Sequence, residues 1–312
     1  SEGGVVVIPE GDFVLDAPIV INKHNVTFKG LNPGMRSNID VNGINELLGP
    51  GGGSKLVARN AEAAIKVETG VKGVKIMNLI VSGGTEAKNI GIHFAGTSDD
   101  GMLSNIIGIN LHTGVKIEQA KNMQIINCWV CELPNSMVLI GGENINIKNC
   151  QLGAQPTGIT CKAQGVNKLS FVNNQVYPDG RENLVLDGCN NCIVEGNNFK
   201  SYYNGILVLS GNDNRVNKNI FWLTGALQNQ MLDHGDDFGI INVKGNNNMF
   251  VSNSLSCEWA YTDAVAVNAT QGTGNVFKNC FIDNLESYRV FLVNSGTEVS
   301  NCVSSDKVSI VE

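Results

Sequence analysis

The chain has 312 residues and a net charge of −7, with 42% apolar and 16% charged residues. No apolar run reaches the roughly 18–20 residues of a membrane-spanning helix, and the apolar content is too high for a disordered chain. Gly at 36 residues and Pro at 7 exclude a collagen-like repeat, and an acidic balance without Lys/Arg clusters argues against nucleic acid as a partner.

In chain order, Val5-Val-Val-Ile8 before Pro9 reads as a first apolar strand. Residues 30–56 form an insertion carrying Arg36, Asp40, Glu46 and Gly51-Gly-Gly53. From about residue 107 the sequence repeats itself. Ile107-Gly-Ile-Asn110, Ile125-Ile-Asn-Cys128, Ile147-Lys-Asn-Cys150, Phe171-Val-Asn-Asn174 and Val194-Glu-Gly-Asn197 share one pattern. Val216-Asn-Lys-Asn219, Phe250-Val-Ser-Asn253, Phe277-Lys-Asn-Cys280 and Val299-Ser-Asn-Cys302 continue it. Most intervals between the Asn/Cys positions run from 18 to 27 residues, and the one from 219 to 253 is longer.

A period near 22 residues with apolar residues at every second position matches one turn of a parallel β-helix with three short strands. The repeated Asn predicts an asparagine ladder, with Cys128, Cys150, Cys280 and Cys302 as small core residues in the same column. A second run follows Gly in each coil, as in Gly91-Ile-His-Phe94 and Gly158-Ile-Thr-Cys161. Alternation predicts an outward column of His93, Lys116, Val138, Thr160, Val185, Leu207, Ile241 and Val265. Its apolar character predicts a covered face, either a homo-oligomer interface or a face covered by a loop of the same chain. A second insertion spans residues 222–238, and a shorter one holds Trp259, Tyr261 and Asp263. No linker interrupts the pattern, so the expectation is an all-β β-helix of about ten coils, a single domain over 1–312.

Function on such a scaffold belongs to loops and outward positions. Asp233, Asp236 and Asp237 beside His234 form an acidic cluster, read either as a sugar-binding or acid/base site or as a solvated loop. Asp179, Arg181, Glu182 and Asp187 surround a Pro-Asp-Gly turn, where turn chemistry and a surface ion pair are the competing account. Trp222 and Tyr203 offer faces for stacking on sugar rings or for packing loop against coil. Histidines at 24, 93, 112 and 234 have no metal or triad spacing, and Cys189-Asn-Asn-Cys192 lacks converging partners. No metal or organic cofactor is expected. The chain opens at Ser1 without Met and without a signal-like stretch, the pattern of a processed chain, which leaves localisation open between extracellular and cytoplasmic.

The stretch Asn174-Gln-Val-Tyr-Pro-Asp-Gly-Arg181, with Gly188-Cys-Asn-Asn-Cys192, Gly196-Asn-Asn-Phe199 and Gly211, resembles the inulin fructotransferases and difructose anhydride III hydrolases. The opening Val5 to Asp12 and Asp233…Asp236-Asp237…Gly239-Ile240 are similar to the same family. The resemblance implies a right-handed parallel β-helix, a homotrimer, active sites between subunits, and fructan or difructose anhydride as substrate. It implies carboxylate acid/base chemistry on fructosyl linkages, without membrane or nucleic-acid partners. The family's catalytic Asp and Glu fall on Asn127 and Val138, which carry no acid. Activity of the family type then calls on repositioned carboxylates, with Glu132, Asp187 and Asp233 as catalytic candidates and Asp179, Arg181, Asp236, Asp237, Trp222 and Tyr203 contacting substrate. The alternative is a catalytically silent relative that serves as a carbohydrate-binding or structural trimer.

Overall fold

A computed structural model of the chain describes residues 3–34, 53–83, 88–224, 237–257, 265–283, 290–302 and 308–311. Among these residues there is no helix; about ten coils of parallel strands build a right-handed β-solenoid. It divides into two units, Ser1–Gly153 and Ala154–Glu312.

In each unit the chain visits three parallel sheets in turn. In the first unit, the third sheet carries Ile19–Ile21, Ala63–Val67, Ile90–Phe94, Thr113–Glu118 and residues 135–140 in register. In the second unit, residues 159–164 pair with Glu182–Asp187, and the sheet continues through Leu207–Leu209, Ile241–Val243, Val267–Ala269 and Phe291–Asn294. Each strand turns alternate side chains into the core. Because every coil repeats at the strand spacing, like residues stack on like. Phe199 lies over Phe221 with ring centroids 5.1 Å apart and planes within 2°, and Phe250 over Phe277 at 4.5 Å.

The corners explain the repeat. In the second unit Asn174, Asn197, Asn219 and Asn253 are buried one above another. The Oδ1 atoms of Asn197, Asn219 and Asn253 each accept the backbone N–H and side-chain N–H of the Asn one coil before, at 2.8–3.1 Å. Their amides also donate to the carbonyls of Phe171, Val194 and Val216, so buried corner backbone is satisfied without water. The column passes to sulfur at its end: Cys280 N–H donates to Cys302 Sγ at 3.4 Å. A second buried column, Asn214, Asn248 and Asn275, serves another corner in the same way. The residue just before the first column takes the left-handed conformation, as at Asn173, Lys218, Ser252, Asn279 and Asn301. In the first unit the same turn position holds Asn105, Asn127 and Asn149, where Asn tolerates a positive φ. At Gly211 a Cβ would lie 1.6 Å from the Cys189 carbonyl oxygen, so no other residue fits.

Two register expectations need correction. Trp129 pairs with Ile107, so the coil before Cys128 presents Ile106 and not Asn110 to that column. On the third sheet, His93, Lys116 and Val138 do form one outward row in the first unit. In the second unit, however, Lys162, Val185, Val208 and Asn242 are in register. Thr160, Leu207, Ile241 and Val265 are buried. The spacing from Gly to the outward residue is not constant, because corner lengths differ between coils. The apolar strip that suggested a covered face therefore shrinks to Val138 in one unit and Val185 with Val208 in the other.

Candidate functional site

The corner that leads into the third sheet gathers most of the described candidates of the second unit. Its turns stack by backbone hydrogen bonds: Arg181 N–H to Gly158 O at 2.8 Å, Tyr202 N–H to Pro178 O at 3.1 Å and Gly205 N–H to Gly239 O at 3.0 Å. Asn204 Nδ2 donates to Phe238 O at 3.0 Å, which ties residues 237–239 to the same edge. Asp179 and Arg181 thus share one turn of this corner, and Asp237 lies two coils further on, with the 202–205 turn between them.

The electrostatics of this corner are asymmetric. Arg181 Nε donates to Glu182 Oε2 at 2.8 Å, and the Glu182 side chain is only 8% exposed. Arg181 and Glu182 are therefore an anchored pair, with the carboxylate buried beneath the guanidinium. Asp179 is solvent-accessible, yet desolvation by surrounding atoms pushes its carboxyl above the ordinary aspartate range. An accessible acid with raised proton affinity, two residues from an ion-paired carboxylate's partner, is an asymmetry that proton-transfer chemistry uses. Thr160 and Asn183 lie behind the turn, fully buried.

The other candidates lie elsewhere or, as with Tyr203, are enclosed. Asp187 stands at the far end of the strand Glu182–Asp187, roughly 16 Å from Glu182 at strand rise. There its Oδ1 accepts Ser210 Oγ–H at 2.9 Å, while that hydroxyl accepts Gly188 N–H at 2.8 Å, the bonding of a corner brace. Trp222 is half-buried on the second sheet with Lys200 Nζ 4.8 Å from its ring centroid. Tyr203 is 6% exposed, which leaves its ring little surface for a sugar. Asp233, Asp236 and His234, with Trp259, Tyr261 and Asp263, lie outside the described residues.

In the first unit, Glu132 is exposed at a left-handed position, φ 64°, within the long strand Trp129–Ile140. Asn127 occupies its corner turn, and half-buried Val138 pairs with Lys116. Beside Val138 the structure assembles a cluster that spacing alone did not single out. His93 Nε2 lies 2.7 Å from Glu118 Oε2, and Lys116 Nζ 2.7 Å from Glu118 Oε1. Lys66, in register with His93, pairs with Glu62 at 2.7 Å. Lys116 and then His93 hold the Glu118 carboxyl below the ordinary glutamate range. The signal available in the sequence was the coil-spaced row Lys66, His93, Lys116 with Glu118 two residues on.

Among the described residues no group of three or more His, Cys, Asp or Glu could hold a metal. All nine cysteines are buried thiols. The hydrogen bond with Cys189, and then burial, push the Cys192 thiol up, as suits a packed core pair.

Strand order, stacked corners and register define a right-handed parallel β-helix, and the family model "Right handed beta helix region" matches residues 157–310. Solved structures carry the likeness along the chain. DFA-IIIase from Arthrobacter chlorophenolicus A6 in complex with GF2 superposes with a TM-score of 0.83 at 21% identity, covering 99% of this chain and 86% of that one. The same enzyme in complex with DFA-III gives 0.78 at 19% identity, covering 99% and 88%. The Dettilon tailspike protein gives 0.58 at 11% identity, covering 94% and 61%. These likenesses establish the fold. A search of curated protein sequences found no match to the chain.

Proposed function

We propose that the protein is a carbohydrate-active β-helix that binds fructosyl saccharides and acts on their linkages at the corner carrying Asp179, Arg181 and Asp237. One observation carries the reading: an accessible Asp179 carboxyl with raised proton affinity, beside the Arg181–Glu182 pair, on a fold shared with saccharide-bound DFA-IIIase. In this reading Asp179 gives its proton to the leaving oxygen as the bond to the fructosyl carbon breaks. The Glu182 carboxylate stabilises the positive charge that develops on the fructosyl centre. A second hydroxyl of the same saccharide, or water, then adds to that centre and gives its proton to the Asp179 carboxylate, which restores the acid. Arg181 fixes Glu182 and offers N–H donors to sugar oxygens.

Glu132 and Asp187 remain proposed contributors, the latter restrained by its bond to Ser210. The homotrimer implied by the family resemblance belongs to the same proposal, and sedimentation at micromolar concentration tests it. A second reading, a saccharide-binding protein without turnover, is favoured by Asn127, whose left-handed corner geometry gives its side chain a structural place where the family has an acid.

Titration calorimetry with GF2 and with DFA-III tests the binding step. Saturable binding that weakens in Arg181→Ala supports the site. Absence of heat and of any thermal shift with either saccharide overturns the proposal.

A further inference from the structure

Two buried oxygens behind the Asp179 turn have no hydrogen-bond partner in the protein: Thr160 Oγ1 and Asn183 Oδ1. Both residues are 0% exposed. They belong to adjacent coils, and the register that pairs Ile159 with Glu182 and Cys161 with Leu184 sets Thr160 directly opposite Asn183. The Asn183 amide orientation is fixed, because its Nδ2 donates to Lys200 O at 2.5 Å, so Oδ1 is the atom that needs a donor. Gly180 packs on the Thr160 side: a Cβ there would lie 2.6 Å from Thr160 Oγ1 and 3.2 Å from Ala154 Cβ. Burying two oxygens unsatisfied is unfavourable, and native interiors answer such groups with a bound donor.

We propose that one ordered water binds between Thr160 and Asn183 and pins the Gly180 turn that presents Asp179 and Arg181. The dimensions and the chemistry agree. Adjacent strands lie about 4.8 Å apart, and a tetrahedral water with two hydrogen bonds of about 2.8 Å spans roughly 4.6 Å. Water donates to Asn183 Oδ1 and exchanges a hydrogen bond with the Thr160 hydroxyl, which both donates and accepts. Thr160 is then a positioning residue. Its link to function rests on the Asp179 reading, but the water itself does not.

A crystal structure of the full chain at about 1.6 Å, with a second crystal soaked in rubidium salt, tests the site. The expected result is one density peak about 2.8 Å from both oxygens, without rubidium anomalous signal. No peak, a direct Thr160–Asn183 hydrogen bond, or a rubidium peak overturns it. In solution, Thr160→Val is expected to lose the peak, lower Tm by a few degrees and shift the Asp179 carboxyl titration followed by NMR, whereas Thr160→Ser restores all three. A Tm loss with an unmoved Asp179 titration overturns the positioning role. If Thr160→Val fails to fold, the Thr160→Val/Asn183→Leu variant decides: it removes both oxygens, so it is expected to be more stable than either single variant. A double variant that loses the sum of the singles contradicts the shared water. Absence of saccharide binding with the water peak present would overturn the functional reading alone.

Discussion

Replacing Asn219 by Ala strips the centre out of the buried corner column of the second unit. The lost side chain accepts Asn197 N–H and Nδ2–H, each at 2.9 Å, and donates to Val194 O at 2.9 Å and Asn253 Oδ1 at 3.0 Å. Asn253 Oδ1 keeps the Asn219 backbone N–H at 3.0 Å. The two Asn197 donors and the Val194 carbonyl are stranded in a dry corner. At about 1–3 kcal/mol for each stranded group, and allowing water partial entry to the smaller side chain, Asn219→Ala is expected to cost about 3–5 kcal/mol. Asn219→Cys copies what positions 280 and 302 already do, where contacts to sulfur run 3.4–4.0 Å, and is expected to cost about half as much. Urea unfolding followed by far-UV circular dichroism reads both numbers from the midpoint at constant m. A loss below about 1 kcal/mol for Asn219→Ala, or a Cys variant less stable than the Ala one, would refute the claim that these bonds hold the corners.

Other expectations follow from single sites. Gly211→Ala sets a methyl against the Cys189 carbonyl and should abolish soluble folded protein, whereas Gly165→Ala, with nothing within 4 Å of its Cβ, should be mildly destabilised by its left-handed φ alone. Glu118 has a lowered proton affinity in the folded state, so its contribution is present above the ordinary glutamate range and lost as pH falls through the folded-state value. Wild type should therefore lose its advantage over Glu118→Gln on acidification, and a difference constant from neutral pH to pH 3 contradicts the ion-pair assignment. Asp179 has the opposite sign: its raised affinity adds stability on the acid side that disappears as pH rises through its folded-state value. Asp179→Asn should be more stable than wild type at neutral pH and lose that margin in acid, as thermal melts across pH would show, while losing turnover.

The coil repeat was legible because its causes are local. Asn at a left-handed corner followed by a buried Asn or Cys recurs in the sequence at the spacing of one coil, and both features survive in the structure at Asn127-Cys128, Asn173-Asn174 and Asn279-Cys280. The outward row was legible only while corner lengths stayed constant. It held from His93 to Val138 and failed at Thr160, because Gly158 precedes the outward Lys162 by four residues where Gly91 precedes His93 by two. Site chemistry was less legible, since it depends on burial. Arg181-Glu182 looks like a surface pair in the sequence, and only the fold shows that the carboxylate is enclosed. The raised proton affinity of Asp179 comes from surrounding atoms, and the opposition of Thr160 to Asn183 comes from a register between coils; neither has a local signature.

The most direct measurement is product analysis by anion-exchange chromatography after incubation with inulin, GF2 and DFA-III, wild type beside Asp179→Asn. The account expects conversion of at least one saccharide by wild type and none by Asp179→Asn, with binding retained. Equal conversion by the two proteins, or no conversion of any of the three by a folded protein that binds them, would contradict the assignment of fructosyl chemistry to this corner.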